Sequence, residues 1–485
     1  MASFEYDVGI LGGGAAGLTM AAGAAQLGAK TILIERRPSL GGDCLHFGCV
    51  PSKTLIKSAR VYHQMRQAAR YGLPAVEAPP VDFAQVAARI REVIATIQAH
   101  DSLERFCGLG VRVEIGQARF ADEHCVDLEG RRLAARYWLI ATGSRPAPAP
   151  VPGLEQTPYL TNQEVFSLES LPESLLVLGA GPIAIEMAQA FNRLGSRVTV
   201  VQRSGQILSN DDPDLAGLLL ERLREEGVEV ILNAQTLAAR DLGQKRELTI
   251  RGEQGERRLS AQHLLVALGR APNLEGLGLE AAGVEHDAKG LKLDNRLRTS
   301  QRHIFGAGDV TGAFQFTHAA GYEAGVALTN AVLRLPRRAD YTFMPWCTYS
   351  DPELASIGLN EKQARAAKIA YQVWSEDFGA NDRALAEGQA WGRIKLLLDQ
   401  RERPLGVQIL GPRAGELLNE WVAALGGGLK LSTLAGAVHP YPTLGEINKR
   451  LAGSVLAPKL FSERVRKGLR LFFNLKGRAC APPPG

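Results

Sequence analysis

The sequence has few cysteines, no long apolar run and little excess charge, and each shortage excludes a class of protein. Six cysteines in 485 residues are too few for the disulfide framework of a small secreted protein. No stretch reaches the roughly 18 uninterrupted apolar residues that a membrane-spanning helix needs, and we expect no secretory signal. The net charge of +5 is spread along the chain and gives no nucleic-acid footprint. We therefore expect a cytoplasmic protein without a nucleic-acid partner.

What is present is the composition of an ordinary globular protein. Hydrophobic residues make up 45% and charged residues 22% of the chain, as is typical of packed domains. At roughly 100–200 residues per domain, the length of 485 residues predicts three or four domains.

A glycine-rich turn follows the first apolar run, residues 6–11. The run is typical of a buried parallel strand, and it leads into a helix of small residues. Gly12 would allow the tight turn, Gly14 the close approach of a pyrophosphate, and Gly17 the packing of helix on strand. Glu35 ends the next predicted strand, where its carboxylate can accept hydrogen bonds from a ribose. The combination predicts a Rossmann dinucleotide-binding site.

The same pattern recurs after a second apolar run, with Gly179 and Gly181 in the turn. Gln202 lies as far beyond Gly179 as Glu35 lies beyond Gly12. The neutral Gln202 removes the repulsion that a 2′-phosphate would feel, and Arg203 supplies a cation to hold it. We therefore expect NADPH at this site. The alternative is that Arg203 is only a solvated surface residue and that the site accepts NADH.

Two cysteines, Cys44 and Cys49, lie close together after the first site. In an ideal helix the Cα atoms at this spacing are about 8.6 Å apart, beyond the roughly 4.4–6.8 Å that a disulfide spans. A bridge therefore needs a distorted turn, for which Gly48 provides the backbone freedom. Two such thiols predict a centre that carries two electrons in a thiol–disulfide cycle. Metal ligation, which would need two more ligands, and inert burial are the alternatives.

Seven motifs, in order along essentially the whole chain, make the sequence resemble the class I pyridine nucleotide–disulfide oxidoreductases. This is the family of dihydrolipoamide dehydrogenase, glutathione reductase and mercuric reductase. The motifs are residues 12–17, 42–53, 141–146, 179–186, 267–273, 306–309 and 439–446.

The resemblance implies an α/β fold with two Rossmann-like dinucleotide-binding domains, for FAD and NAD(P)H, and a C-terminal α+β dimerisation domain. It also implies a homodimer in which the partner subunit completes the active site. We expect an FAD-binding domain in two parts, an NAD(P)H-binding domain between them, a dimerisation domain and a basic C-terminal extension. Their predicted bounds are 1–150 and 276–340, 151–275, 341–458, and 459–485.

The resemblance also assigns roles to residues. Cys49 would lie against the flavin as the charge-transfer thiol, and Cys44 would be the outer thiol that attacks the substrate. Lys53 and Glu186 would form an ion pair beside the flavin, with a purely structural salt bridge as the alternative, and Asp309 would bind the ribityl chain. The remaining cofactor contacts are expected from residues of the other motifs: Gly42, Thr142, Gly143, Gly269, Arg270 and Gly308.

The sequence departs from the thiol-reducing members of the family near the C-terminus. Those members carry a histidine before Pro-Thr, whereas this chain carries Tyr441, with Glu446 five residues beyond it. A phenol with a pKa near 10 replaces an imidazole that exchanges protons near neutral pH. His439, two residues away, is the candidate to substitute for that imidazole, and a structural role for it is the alternative. A tyrosine here resembles mercuric reductase, although Cys480 has no neighbouring cysteine of the kind that relays the metal ion in those enzymes.

The sequence therefore predicts an enzyme that passes electrons from NADPH through FAD and the cysteine pair to a small molecule or small protein. The acceptor would be a disulfide, a thiol-bound metal ion or a related electrophile, and no resident metal ion is expected. One alternative is dihydrolipoamide dehydrogenase or another disulfide reductase. Another is a quinone reductase at a membrane surface, because residues 459–473 mix apolar and basic side chains at helical spacing. The alternative for this segment is a helix that docks on its own subunit or on the dimer mate.

Overall fold

The computed structural model describes residues 4–480, which form two compact units. The first unit ends at Tyr341 and the second begins at Thr342. Each unit has its own sheets and its own buried apolar core.

The first region of the first unit, residues 4–146, is built on a parallel sheet. Its strands are β1 (Tyr6–Leu11), β2 (Thr31–Glu35), β3 (Val111–Ile115), β4 (Ala118–Phe120), β5 (Cys125–Leu128), β6 (Arg131–Ile140) and β7 (Ser144–Pro146). Its helices are α1 (Ala15–Gln26), α2 (Gly42–His46), α3 (Cys49–Arg66), α4 (Phe83–Gln98) and α5 (Leu103–Gly108). The parallel order is β3-β2-β1-β6, and β6 begins by pairing with the antiparallel β5, which pairs with β4. The central strands read as apolar runs because helices cover them, which buries Val8 and Ile10 completely.

The second region, residues 147–269, repeats this plan. Its strands are β8 (Ser174–Leu178), β9 (Arg197–Val201), β10 (Glu229–Ile231), β11 (Gln235–Asp241), β12 (Arg246–Gly252), β13 (Gly255–Ala261) and β14 (His263–Val266). Its helices are α6 (Pro182–Leu194) and α7 (Pro213–Glu225). The parallel order is β10-β9-β8-β14, and β11-β12-β13 form an antiparallel meander beside it. In both regions a strand, a glycine turn and a helix come first.

The chain then returns to the first sheet. The return segment contains β15 (Arg270–Pro272), β16 (His286–Asp287), β17 (Gly290–Leu291), β18 (Ile304–Gly306) and α8 (Thr317–Ala331). Strand β15 pairs antiparallel with β7, and β18 extends the first sheet by pairing parallel with β6. The second region is therefore an insertion between β7 and β15.

The second unit is an antiparallel sheet covered by helices. Its strands are β19 (Pro345–Thr348), β20 (Glu353–Gly358), β21 (Gln372–Asp377), β22 (Arg393–Leu398) and β23 (Pro404–Gly411), in the order β19-β20-β23-β22-β21. Its helices are α9 (Glu361–Ala366), α10 (Asp382–Ala386), α11 (Ala414–Gly426), α12 (Leu431–Gly436), α13 (Glu446–Leu460) and α14 (Glu463–Phe473). The predicted fold class, two parallel nucleotide-binding sheets followed by an α+β unit, is confirmed.

The C-terminal extension differs from its prediction in two ways. The helix is not continuous over 459–473, because α13 ends at Leu460 and α14 begins only after Ser462, which caps it. Within the described residues α14 is also not docked on its own subunit, since none of its side chains is buried. The end of the predicted extension, 481–485, lies outside the described residues. In the part of the chain that is described, no helix is both long and apolar enough to cross a membrane.

Candidate active site

Cys44 and Cys49 lie on two separate helices with a short break between them. Helix α2 ends at His46, and α3 begins at Cys49 itself. A Cβ atom on Gly48 would lie 3.0 Å from the carbonyl oxygen of Asp43 and 3.2 Å from the Cα of Cys44. A side chain here would push these backbone atoms apart by a few tenths of an ångström, so Gly48 favours the close turn that the cysteine spacing requires.

The two thiols are free, and their acidities are strongly unequal. The hydrogen bond from Cys44 lowers the pKa of the Cys49 thiol to about 6, against the opposing effect of desolvation. The Thr317 hydroxyl, 3.6 Å from the Cys49 Sγ, and the positive charge of Lys53 lower that pKa further. The same hydrogen bond, together with burial, raises the pKa of Cys44. The pair therefore favours a thiolate at Cys49 with the remaining proton on Cys44.

Lys53 and Glu186 form the predicted ion pair. The Lys53 Nζ lies 2.9 Å from the Glu186 Oε2, and the Glu186 side chain is 5% exposed. Lys53 lies one turn beyond Cys49 on α3, and Glu186 lies one turn beyond the second glycine turn on α6. The pair therefore joins the cysteine helix to the helix that starts at the second nucleotide site.

Arg270 connects segments that are far apart in the sequence. Its Nη2 lies 2.9 Å from the Asp43 Oδ2, and its Nε donates to the Ser144 Oγ at 2.7 Å. The Ser144 hydroxyl in turn donates to the Asp309 Oδ2 at 2.5 Å. Burial raises the pKa of Asp309. These contacts hold two carboxylates around the Arg270 guanidinium. They are the carboxylate of Asp43, next to Cys44 on α2, and that of Asp309, just after β18.

The first glycine turn has both the tight packing and the open space that its motif predicts. A Cβ atom on Gly17 would lie 1.8 Å from the carbonyl oxygen of Gly12, so α1 can approach the turn only with glycine there. A Cβ atom on Gly14 would meet only the Cα of Gly42, at 3.7 Å. The Glu35 Oε2 accepts a hydrogen bond from the backbone N–H of Gly13 at 2.6 Å. The open face at Gly14, in front of the N-terminus of α1, fits a pyrophosphate.

The second glycine turn has the same tight packing and open space as the first, and it is followed along the chain by an exposed cation, Arg203. A Cβ atom on Gly179 would lie 2.4 Å from the carbonyl oxygen of Ala267, whereas one on Gly181 would meet nothing within 4 Å. The Gln202 Nε2 donates to the Ser204 Oγ at 2.8 Å, and the Arg203 side chain is exposed. The space before α6 again fits a pyrophosphate, and the cation beside it is accessible.

The other predicted cofactor residues lie where the two regions join. Gly143 and Gly269 flank the paired strands β7 and β15, and both have positive φ angles, of 70° and 117°. The Thr142 hydroxyl donates to the carbonyl oxygen of Asn273 at 2.8 Å, and the Asn273 side chain returns a bond to the carbonyl oxygen of Thr142 at 2.9 Å. These two hydrogen bonds join the residue before Gly143 to the residue after β15, near Arg270.

In the second unit Tyr441 is largely exposed, whereas His439 is mostly buried. The Tyr441 side chain is 71% exposed, and its hydroxyl donates to the Asp382 Oδ2 at 2.8 Å. The His439 Nε2 lies 2.8 Å from the Glu420 Oε1, with the histidine side chain 12% exposed, which favours a structural role for His439. The Glu446 Oε2 accepts from the backbone N–H of Thr443 at 3.3 Å. Tyr441, Asp382 and Glu446 line one cavity of about 370 Å³.

Comparison with protein families covers both units. Residues 6–324 match the family described as pyridine nucleotide-disulphide oxidoreductase, and residues 344–452 match the dimerisation domain of that family. The chain belongs to this family. The predicted family and the enzyme class are thereby confirmed, as are the cofactors FAD and NAD(P)H that family members use. The dimerisation domain indicates a homodimer.

Relatives with different reactions are similar to this oxidoreductase to the same degree. A mercuric reductase of Streptomyces lividans is 34% identical, over 95% of this chain and 97% of its own length. A dihydrolipoyl dehydrogenase of Geobacillus stearothermophilus is also 34% identical, over 92% of this chain and 95% of its own length. Among solved structures, the Cu(II) complex of the HOCl-induced flavoprotein disulfide reductase RclA from Escherichia coli has a TM-score of 0.83 and 27% identity. It covers 93% of this chain and 100% of that one.

Glu323 contacts the predicted cofactor residue Gly308, and the motifs did not reveal it. Its side chain is completely buried on α8. One carboxylate oxygen accepts from the backbone N–H of Gly308 and the other from the Tyr341 hydroxyl, both at 2.7 Å. Burial raises the pKa of Glu323 to about 7. The available signal was a lone acidic residue on the alanine-rich buried face of a helix, where a charge needs a specific partner.

Proposed function

We propose that this oxidoreductase uses the two electrons of NADPH to reduce thiol-bound metal ions at Cys44 and Cys49: one Hg(II), which takes both electrons and becomes Hg(0), or two Cu(II), which take one electron each and become the soft ion Cu(I). The observation that carries the proposal is the unequal thiol pair, with a thiolate at Cys49 and a thiol at Cys44. When bound, FAD accepts a hydride from NADPH and supplies two electrons to the cysteine pair. The chain's own residues hold this thiolate beside Lys53 and the Thr317 hydroxyl.

Tyr441 supports a metal ion over a disulfide as the acceptor. To reduce a disulfide, the Cys44 sulfur must lose its proton, attack one substrate sulfur and release the other as a thiolate that takes up a proton. Cys49 then attacks Cys44, which frees the second thiol and leaves the Cys44–Cys49 disulfide. An imidazole serves such proton transfers near pH 7, whereas the pKa of Tyr441 is raised further by the Asp382 carboxylate. A soft metal ion needs no such base, because metal binding itself displaces the thiol proton.

The named relatives support the same class of acceptor. Mercuric reductases are among the chains that align with nearly all of this one, and RclA was solved as a Cu(II) complex. The equal similarity to a dihydrolipoyl dehydrogenase keeps disulfide reduction as the main competing function.

The preference for NADPH rests on the residues at the end of β9. Arg203 is exposed beside the second glycine turn, and the neutral Gln202 bonds Ser204. An accessible guanidinium and no carboxylate suit a 2′-phosphate better than a bare ribose.

The proposal is tested with the purified flavoprotein, NADPH and a panel of acceptors: thiol-bound Hg(II), thiol-bound Cu(II), glutathione disulfide, lipoamide and quinones. We expect NADPH oxidation to be fastest with the metal ions. Cys44→Ser and Cys49→Ser should each abolish it, whereas Cys107→Ser, at an exposed cysteine on α5, should leave it intact. Faster turnover with either disulfide, or full metal reduction by Cys44→Ser, would contradict the proposal.

The thiol pair can be tested without any acceptor. The reduced protein should show the long-wavelength absorbance of a thiolate beside oxidised flavin, and this band should disappear as the pH falls through about 6, the pKa of Cys49. Cys44→Ser should keep the band, because its hydroxyl can still donate a hydrogen bond, and Cys49→Ser should lose it.

A second candidate function, quinone reduction at a membrane surface, is favoured by α14. Its two terminal phenylalanines, Phe472 and Phe473, are 79% and 71% exposed. Four basic residues share the helix with them, and basic amphipathic helices are typical of segments that lie on anionic lipid. These are Arg464, Arg466, Lys467 and Arg470.

This candidate predicts that the flavoprotein sediments with vesicles that contain an anionic phospholipid and not with neutral vesicles. The double substitution Phe472→Ser, Phe473→Ser should abolish sedimentation. The control Leu242→Ser, Leu333→Ser removes two exposed apolar side chains elsewhere, which are 54% and 47% exposed, and should not. Equal sedimentation of all three proteins would exclude α14 as the membrane contact.

A further inference from the structure

Three consecutive residues before and at the start of α10 each bond the segment that carries Tyr441. The Arg450 Nη1 donates to the carbonyl oxygen of Ala380 at 2.6 Å. The Asn381 Nδ2 donates to the carbonyl oxygen of Thr443 at 3.2 Å. The Tyr441 hydroxyl donates to the Asp382 Oδ2 at 2.8 Å. The two segments are more than fifty residues apart in sequence, yet they are joined at three successive positions.

The anchor for these contacts is rigid. Asn381 caps α10, because its Oδ1 accepts from the backbone N–H of Ala384 at 2.9 Å, and its side chain is 6% exposed. The neighbouring Phe378 is completely buried in the core of the second unit. The Asp382 carboxylate is therefore held at a defined place, while its partner Tyr441 is largely exposed.

We propose that Asp382 is a positioning residue that holds the Tyr441 phenol as a neutral hydrogen-bond donor in the cavity that both residues line. The inference rests on the proposed function, in which Tyr441 occupies the slot that the thiol-reducing relatives fill with a histidine. The rigid carboxylate fixes the direction of the hydroxyl. Its negative charge also opposes formation of a tyrosinate.

The charged groups around the Tyr441 phenol change its pKa to different extents. The hydrogen bond to Asp382 raises the pKa of Tyr441 most, followed by the charges of Asp382 and Glu446. Lys449 and Arg450 line the same cavity with the opposite charge. Arg450 is already engaged by the carbonyl oxygen of Ala380 and by Glu376, at 3.3 Å.

The consequence is one of metal selectivity. A tyrosinate oxygen is a hard, anionic ligand that suits hard cations, whereas sulfur ligands select soft ones. Tyr441 is already protonated at neutral pH, as an ordinary phenol is. Asp382 extends to more alkaline pH the range in which Tyr441 offers a hard cation no anionic oxygen.

The experiment titrates the Tyr441 phenol directly. The tyrosinate absorbance of the holoenzyme is measured against pH, and the curve of Tyr441→Phe is subtracted to isolate Tyr441. The same subtraction is made in an Asp382→Asn background and in an Asp377→Asn background, the latter being a control at a nearby exposed carboxylate that pairs with Arg393. We expect the pKa of Tyr441 to fall in Asp382→Asn and to stay unchanged in Asp377→Asn.

Turnover provides the second readout. Asp382→Asn should lower kcat/KM for the thiol-bound metal ion several-fold, and Asp382→Glu should restore most of the loss. An unchanged Tyr441 titration in Asp382→Asn, or equal losses in the Asn and Glu variants, would overturn the inference. The titration needs no acceptor, so it stands even if metal reduction is absent and the proposed function fails.

Discussion

The two glycine turns are built on the same strand, turn and helix, and they differ in the residue that ends the following strand. In the first region Glu35 is buried and bonds the backbone of its own turn at Gly13. In the second region Gln202 bonds Ser204 and leaves Arg203 exposed. A closed site suits a cofactor that remains bound, and an open site with an accessible cation suits one that exchanges in every cycle. The predictions below test this contrast.

The largest effect is expected from adding one methyl group to each turn. In Gly17→Ala the new Cβ would lie 1.8 Å from a backbone oxygen that cannot move without opening the turn. We expect a loss of more than about 4 kcal/mol in the free energy of unfolding and no bound FAD. In Gly181→Ala the Cβ would meet nothing within 4 Å, so stability should be unchanged. Urea unfolding and the flavin-to-protein ratio measure both, and equal stability of the two variants would contradict the contrast.

The second prediction concerns Glu323 in the return segment. Its carboxylate accepts a hydrogen bond from the backbone N–H of Gly308. Its folded pKa is about 7, above the ordinary value of 4.5. Its contribution to stability is therefore present below pH 4.5, declines as the pH rises, and is lost above about pH 7. Glu323→Gln mimics the protonated form and should gain about 3 kcal/mol relative to the wild type between pH 4 and pH 8. A constant difference between the two proteins across that range, measured by urea unfolding, would exclude Glu323 as the titrating group.

The third prediction concerns the residues that distinguish the two turns. Glu35→Ala leaves the buried N–H of Gly13 without its partner, which costs about 1–3 kcal/mol, and should let FAD dissociate on dialysis. Gln202→Ala removes a bond between half-buried side chains of the second site and should leave FAD in place. Flavin fluorescence of the dialysate measures the loss, and retention of FAD by Glu35→Ala would show that the first site does not depend on this carboxylate.

The smallest effect is expected at Arg203. Its replacement by Ala should raise the KM for NADPH about tenfold, the order of one charge-assisted hydrogen bond, and leave the KM for NADH unchanged. Steady-state rates with each cofactor measure this. A parallel rise in both KM values would mean that Arg203 does not contact a 2′-phosphate.

Local patterns predicted the parts of this molecule whose cause is local. The strand expected at residues 6–11 is β1 with those bounds, because an apolar run that leads into a glycine turn leaves few alternatives. The pairing of Lys53 with Glu186 was reached only through the family resemblance.

Contacts between distant side chains could not be predicted. The bonds of Arg270 to Asp43 and Ser144, and that of Tyr441 to Asp382, depend on the packing of segments whose spacing carries no periodic signal. The break before α14 was missed because the apolar spacing continues through Phe461, while Ser462 caps a new helix.

The pairing of β7 with β15 makes the second region an inserted domain whose two ends lie side by side. Arg145 stands opposite Ala271 and Pro146 opposite Arg270, so the chain enters and leaves the inserted region on adjacent strands, about 5 Å apart. Insertions whose ends nearly touch can be exchanged without new linkers. A nucleotide-binding unit of different cofactor preference could be grafted between Pro146 and Arg270. The graft would need to keep the contacts that the second region makes with the first, among them Glu186 with Lys53, Asn162 with the carbonyl oxygen of Phe47, and Phe191 stacked on Phe83.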